Sequence, residues 1–206
     1  SGLRVLEEIG RQQLRGERGY QRALEGLRSS LNYGQLFADT LRGRPVVLGY
    51  YFSSLANAEK SGVLPPPVFA PGGFQGRPVQ VVSWKGFGAN LQPLQEAAAS
   101  AGHFNPLVDF DGNSRRVPMI VEHGGAYYEA LSLAVVRTLL GHAKLQPGYP
   151  DQDGSMEWLE VIGVDHKIKV PVDESVAALI PYRGRERSFP YLSAVDVLKG
   201  RADGAQ

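Results

Sequence analysis

The stretch Val46-Val-Leu-Gly-Tyr-Tyr-Phe52 is the clearest strand in the chain. It is a nearly continuous run of β-branched, aliphatic and aromatic residues, which is typical of a strand that is buried on both faces. Upstream of it, apolar residues recur at helical spacing from about Leu3 to Leu41. We therefore expect a helical N-terminal part, residues 1–44, followed by a core, residues 45–200, that begins with this strand.

Downstream of this strand, the patterns for strands and helices alternate. Residues 53–78 are rich in proline and glycine and predict an ordered surface loop, and residues 79–84 predict a second strand. The alanine-rich segment Leu94–Ala101 predicts a short helix, and Ala130–Leu140 predicts the strongest helix of the chain.

The last third of the chain reads mainly as hairpins. His123-Gly-Gly125 separates two apolar runs and predicts a tight β-turn between them. Three further strands are expected at residues 158–164, 166–170 and 177–182, and a final short helix after Ser193. The expected fold class is α/β (mixed α+β), with a central mixed sheet flanked by helices and hairpins.

Composition narrows the class of protein. The chain has 206 residues, which suits a single domain, and its 22 basic residues nearly balance 21 acidic ones, so we expect no nucleic-acid partner. Cysteine is absent, which excludes disulfides and thiolate chemistry. No apolar run approaches the roughly 18 residues that a membrane span needs. The opening and the polar end of the sequence suggest a fragment of a longer protein, truncated at both ends of the domain.

Two segments partly match enzyme motifs. Lys85–Asn90 offers the first two glycines of a dinucleotide-binding loop, but Leu91 stands where the third belongs, so an ordinary turn is expected. His123–Ala126 is similar to the oxyanion loop of esterases, but the chain contains no Gly-x-Ser-x-Gly nucleophile elbow. We expect no catalytic residues and no cofactor.

A third segment, Asp109–Asn113, begins like a calcium-binding loop. Ser114 occupies the position that requires glycine, and Ile120 the position that requires glutamate. A solvated β-turn is therefore the expected structure, and we predict no metal site.

Two groups of arginines are candidates for holding an anion. Arg115 and Arg116 follow the aspartate turn directly, and Arg183, Arg185 and Arg187 lie beside Tyr182. Forked guanidinium groups bind carboxylate or phosphate in a bidentate manner. The predicted ligand-binding residues are Asp109, Asp111, Arg115, Arg116, Tyr182 and Arg183.

An alternative interpretation of these arginines remains open. Structural networks often contain arginines that pair with nearby carboxylates rather than with a ligand. The carboxylates available on the same surface are Asp109, Asp111, Asp173 and Glu174.

Several short blocks of the sequence resemble one family of sensors. Asp109-Phe-Asp-Gly112 with Arg115-Arg-Val-Pro118 is similar to its "DxDGxxRRxP" block, and Ala130-Leu-Ser-Leu-Ala-Val-Val136 to its "SLALA" helix. The family's ending, "IPxD…INYRG…FPxxSxxDVLxG", is matched in order by Val170-Pro-Val-Asp173, Ile180-Pro-Tyr-Arg-Gly184, Ser188-Phe-Pro190 and Ser193-Ala-Val-Asp-Val-Leu198.

The chain resembles, from about Val46 onward, the CHASE type-two domain, a cyclase/histidine-kinase-associated sensory extracellular domain. It departs from the pattern at Pro181, where asparagine is usual, and at Arg185, where proline is usual. The resemblance implies a non-catalytic sensor outside the cytoplasmic membrane of a bacterium, with transmembrane helices that this chain lacks. The implied output is an intracellular adenylate or guanylate cyclase, less often a histidine kinase of a two-component system or a serine/threonine kinase.

Two other hypotheses stay open. One is a protein-interaction or dimerisation module without a small ligand, with a contact surface on the loop Pro65–Pro71 that includes Phe69 and extends to Phe74. The other is a hydrolase that uses His123 or His166 with nearby aspartates. The resemblance implies a homodimer formed through the parent protein, and a small ligand of unknown identity.

Overall fold

The computed structural model describes residues 2–54, 59–74, 76–77, 79–151, 154–185 and 188–201. These residues form six helices and twelve strands. The helices are α1 (Gly2–Gln12), α2 (Arg18–Leu31), α3 (Tyr33–Leu41), α4 (Gln92–Ala97), α5 (Leu131–Leu139) and α6 (Ala194–Leu198). The strands are β1 (Val47–Ser53), β2 (Lys60–Ser61), β3 (Val82–Ser83), β4 (Gly86–Gly88), β5 (Ser100–His103), β6 (Arg116–Pro118), β7 (Ile120–His123), β8 (Ala126–Glu129), β9 (Lys144–Gly148), β10 (Trp158–Ile162), β11 (Lys167–Pro171) and β12 (Ala177–Leu179).

The helices predicted between about Leu3 and Leu41 are confirmed, whereas the division of the chain after residue 44 stays a prediction. Helix α3 begins at the cap Asn32, whose side chain accepts a hydrogen bond from the Gln35 backbone N–H at 3.3 Å. Ala38 and Leu41 of α3 pack against Ala97 of α4 in a small buried cluster. This contact joins the helical part to the core.

Strand β1 lies inside a mixed sheet of order β2-β4-β1-β5 and confirms the strand predicted at Val46–Phe52. It runs parallel to β5 and antiparallel to β4. Tyr50 and Phe52 are buried, whereas Tyr51 points the other way and is half exposed. The mixed α/β class is therefore confirmed.

The predicted helix Leu94–Ala101 is wrong in its second half. Helix α4 ends at Ala97, and the chain continues as β5, which pairs with β1. The parallel pairing outweighs the helix propensity of the alanines. Gly102 permits this arrangement, because a Cβ there would lie 2.5 Å from the Leu131 Cα.

The Gly-Phe-Gly segment predicted as a turn is strand β4. It pairs with β1, opposing Gly88 to Tyr51. A Cβ on Gly88 would lie 2.4 Å from the Tyr51 ring, so this strand needs glycine to sit against that side chain.

The hairpin predicted around His123-Gly-Gly125 is confirmed. Strands β7 and β8 pair antiparallel across it, and both glycines have positive φ, as a tight hairpin turn requires. Parallel pairing of β3 with β7 completes a three-stranded sheet, and α5 follows β8.

The C-terminal half adds two more sheets. Strand β10 lies between β9 and β11, and β12 pairs with β6. Strand β9 ends in Pro147 and Gly148, two residues that are uncommon inside strands. Pro147 is tolerated there because β9 is an edge strand with no further partner among the described residues. The largest buried cluster includes Ile120, Leu133, Leu159 and Val161.

Candidate functional site

The aspartate turn folds as expected, and Arg115 closes it. The Gly112 N–H donates to the Asp109 carbonyl at 2.9 Å, and Gly112 has a φ of +81°. The Arg115 guanidinium donates to both carboxylate oxygens of Asp111, at 2.9 and 2.8 Å, and to Asp109 at 3.0 Å. This fork is a bidentate ion pair that fixes the turn on the surface.

Arg116 connects the same turn to a distant part of the chain. Its two terminal nitrogens donate to Asp109 Oδ1 at 3.1 Å and to Asp173 Oδ2 at 2.9 Å. The other oxygen of Asp173 accepts from the backbone N–H groups of Ser175 and Ala177, both at 2.9 Å. Arg116 thereby joins the aspartate turn to the turn that leads into β12.

Tyr182 also contacts this region. Its hydroxyl donates to the Ser114 carbonyl at 2.6 Å, although its side chain is mostly exposed. Together with Arg115, Leu179 and Pro181 it lines an open depression of about 640 Å³.

Arg183, by contrast, is separate from the cluster. Its side chain is exposed, and no described residue is recorded as its partner. Arg187 lies outside the described residues. The structure thus brings together Asp109, Asp111, Arg115, Arg116 and Tyr182 but does not draw Arg183 in among them.

In this cluster together with Asp173, which we call the aspartate–arginine network, three carboxylates surround two guanidinium groups. Hydrogen bonds from Arg115, and then from Arg116, hold the pKa of the Asp109 carboxyl below its usual value. The hydrogen bond from Arg115 likewise lowers the pKa of Asp111. Both arginines therefore face carboxylates already, as the alternative interpretation expects, and an anionic ligand would have to compete with them. A ligand role for these residues stays a prediction.

A second group of polar side chains lines a cavity that is bordered by β1, α4, β8 and α5. The cavity has a volume of about 630 Å³ and is lined by Tyr50, Gln95, Glu129 and Arg137, among others. The segment Val63–Val68, which contains three consecutive prolines, forms another part of its wall.

Glu129 and Arg137 form a largely buried ion pair in this cavity. Arg137 donates to Glu129 Oε1 at 2.5 Å, and its Nε donates to the Ala143 carbonyl at 2.8 Å. The glutamate side chain is only 5% exposed. Burial raises the pKa of the Glu129 carboxyl, and the hydrogen bond from Arg137 opposes that rise.

No pattern in the sequence predicted this cavity. Tyr50, Gln95, Glu129 and Arg137 come from a strand, a helix, a strand end and a second helix, and they form no motif in the sequence. The parallel pairing of β1 with β5 and the packing of α5 against β5 place them together.

The histidines do not assemble a catalytic group. His123 Nδ1 lies 2.8 Å from the Trp84 carbonyl, and its ring packs against Phe52 and Phe87. His103 is fully buried, and no described residue hydrogen-bonds either of its ring nitrogens. Within the described ranges, no three His, Asp or Glu side chains gather where they could bind a metal ion.

Comparison with known proteins supplies the class. A family model for the CHASE2 domain matches residues 7–205, nearly the whole chain. The chain belongs to the CHASE2 domain family. No curated protein matches the chain, and no solved structure does.

The family assignment settles the kind of role. CHASE2 domains are sensory extracellular domains, so this CHASE2 domain has a sensory role rather than a catalytic one. The match extends the resemblance, which began near Val46, into the N-terminal helices. Among the described residues, no helix is both long enough and apolar enough to cross a bilayer.

Proposed function

We propose that this CHASE2 domain is the extracytoplasmic sensor of a bacterial transmembrane signalling protein and regulates an intracellular class III nucleotide cyclase. Kinase output is the second choice. The observation that carries the proposal is the family match over residues 7–205. The resemblance in the C-terminal blocks adds the expectation of membrane helices on both sides of the domain.

The aspartate–arginine network supports a route for the signal. It ties β6 and the aspartate turn to the start of β12, and Tyr182, in the segment that follows β12, donates a hydrogen bond to Ser114 beside the aspartate turn. From residue 188 to 201 every described side chain is exposed or half-exposed. A change in the network would therefore move this C-terminal segment, which leads towards the membrane helices expected after the domain.

The output can be measured on the full-length parent protein in membranes. We expect cyclic nucleotide synthesis whose basal rate changes in Tyr182→Phe, because this substitution removes only the hydrogen bond to Ser114. Tyr191→Phe is the matched control, since Tyr191 is equally exposed. A parent protein that neither makes cyclic nucleotides nor phosphorylates a substrate would contradict the proposal. An output rate that is the same in Tyr182→Phe, Tyr191→Phe and the unsubstituted parent would contradict it too.

The location of the domain outside the cytoplasm can be tested with an introduced cysteine, because this chain contains none. In the parent protein, Val164→Cys places a thiol at a turn where the side chain is 94% exposed. We expect a membrane-impermeant maleimide to label this cysteine in intact cells at a rate above that of the unsubstituted parent. Labelling that appears only after lysis would place the domain in the cytoplasm.

A dimerisation role is the second candidate, and one observation favours it. Large apolar side chains are exposed around α6, including Phe189 (58%), Leu192 (56%) and Leu198 (86%). The contact surface expected on the proline-rich loop is wrong in part, because Phe74 is only 4% exposed and belongs to the core. A homodimer through the exposed C-terminal side chains would bury this patch.

Sedimentation velocity at rising concentration tests the dimer. We expect self-association that Leu192→Asp weakens and that Val164→Asp, at a more exposed turn away from α6, does not. A monomer at every concentration would exclude the dimer in the isolated domain.

A further inference from the structure

Three polar side chains in the wall of the 630 Å³ cavity have an oxygen without a partner. They are Tyr50 Oη, Gln95 Oε1 and Glu129 Oε2, and each has less than 1 Å² exposed, with no hydrogen bond from any described residue. A buried polar atom without a hydrogen bond destabilises the fold, and native proteins keep few of them. Three such atoms around one cavity are a feature that the folded domain alone does not explain.

Tyr50 and Glu129 are buried much more deeply than a surface site would be. Tyr50 is 2% exposed and Glu129 is 5% exposed. Burial raises the pKa of the Tyr50 hydroxyl, so this group stays protonated and can donate. Because both side chains belong to strands of the core, β1 and β8, their positions are fixed before anything binds.

The geometry points to a small, neutral molecule rich in hydroxyl groups as the occupant of this cavity. We propose that this is the ligand class that the sensor detects, so the inference rests on the function proposed above. Glu129 Oε2 and Gln95 Oε1 accept hydrogen bonds and Tyr50 both donates and accepts, so the occupant must bring donors. Hydroxyl groups satisfy all three atoms.

Charge opposes cationic donors. Arg137 already neutralises Glu129 at 2.5 Å, and the other carboxylate of the lining, Glu96, is exposed and accepts a hydrogen bond from Gln92. A cationic amine beside the three buried oxygens would therefore lack a buried counter-charge, and desolvation would oppose its binding. The cavity volume lies within the range of small-molecule sites.

The segment Val63–Val68 is the element that must yield to admit a ligand. It is held by backbone hydrogen bonds at its ends, from the Val63 N–H to the Asn90 carbonyl at 2.8 Å and from the Val68 N–H to the Tyr127 carbonyl at 2.9 Å. The three prolines between them have no N–H to donate. Displacement of this segment would expose the covered oxygens without breaking a strand.

Binding is tested on the purified chain by thermal unfolding and isothermal titration calorimetry. The neutral probes are glucose, galactose, xylose, myo-inositol, sorbitol and trehalose, and the charged probes are glutamate, lysine and inorganic phosphate. We expect at least one neutral probe to raise Tm and to bind with measurable heat, and the charged probes to do neither.

Substitutions assign the binding to the cavity. Tyr50→Phe removes the unpaired hydroxyl and nothing else, so the unliganded protein should keep its Tm or gain, while the affinity for the neutral probe falls about tenfold. Gln95→Leu should weaken binding similarly. Tyr149→Phe is the control, because Tyr149 also has a buried, unpaired hydroxyl but lines a different cavity, next to Arg77.

Three outcomes overturn the inference. If no neutral probe binds, the cavity holds only water. If only a charged probe binds, the ligand class is wrong, and if Tyr50→Phe and Gln95→Leu bind as tightly as the wild type, the site is elsewhere. Binding by the isolated chain together with an unresponsive parent protein would instead defeat the proposed function and leave the ligand site standing.

Discussion

His103 makes the stability of this domain depend on pH in a defined window. The side chain is fully buried at the end of β5, in parallel register with Tyr50, and its ring lies 6.0 Å from that of Phe52. Burial lowers its pKa from 6.5 to about 4, because the charged imidazolium would be desolvated. No described residue hydrogen-bonds its ring nitrogens, so nothing offsets that cost.

The sign of the effect follows from proton linkage. Between pH 6.5 and about 4 the unfolded chain protonates this histidine and the folded chain does not, so stability falls as the pH falls through this window. From the two pKa values, the loss contributed by His103 between pH 7.5 and pH 4.5 is about 2.5 kcal/mol.

The measurement is urea unfolding at both pH values for the wild type and for His103→Leu, which removes the titrating group. The free energy of unfolding should fall with pH by about 2.5 kcal/mol more in the wild type than in the variant. His166→Leu is the control, because His166 is exposed in a turn, and this variant should follow the wild type. A His103 resonance that titrates near pH 6.5, or equal pH dependence in wild type and His103→Leu, would refute the reasoning.

Two further substitutions test the packing and the network. Gly102→Ala should lower the free energy of unfolding by about 3 kcal/mol, because the new Cβ would lie 2.5 Å from the backbone of Leu131. The control Gly26→Ala, in an open position of α2, should be neutral or slightly stabilising in the same denaturation series. Asp173→Ala should cost about 2 kcal/mol, because it removes an ion pair and two backbone hydrogen bonds, while Glu174→Ala on the exposed neighbour should leave the unfolding midpoint unchanged. A Gly102→Ala variant as stable as Gly26→Ala, or an Asp173→Ala variant as stable as Glu174→Ala, would show that these contacts do not form in solution.

Local sequence patterns correctly predicted the turns and the helix end that depend only on residues close together in the chain. The hairpin at Gly124 and Gly125 needs only two residues that accept positive φ, and both are glycine. Helix α5 ends at Leu139, within one residue of the predicted end at Leu140, and Gly141 follows with a φ of +72°. The aspartate turn and its bidentate arginine are likewise set by residues within six positions of each other.

Other assignments failed because a distant partner decided them. The segment Ser100–His103 after α4 forms β5 because β1 pairs with it in parallel register, and this pairing outweighs the helix propensity of the nearby alanines. Residues 144–148 form β9 because β10 pairs with them on one side, and Pro147 is tolerated because no described strand pairs with the other side. Neither partner is visible from the local composition.

The sequence by itself determined the class of this protein: ordered blocks such as Asp109–Gly112 and Ile180–Gly184 carry the family resemblance, and their spacing along the chain is a one-dimensional property. Only the tertiary structure decided which side chains meet. It paired Arg116 with Asp173 across 57 positions, and it placed Tyr50, Gln95 and Glu129 around one cavity. The physical reason is that such contacts follow from strand pairing and helix packing between remote segments. Burial strengthens a hydrogen bond and makes an unpaired polar atom destabilising.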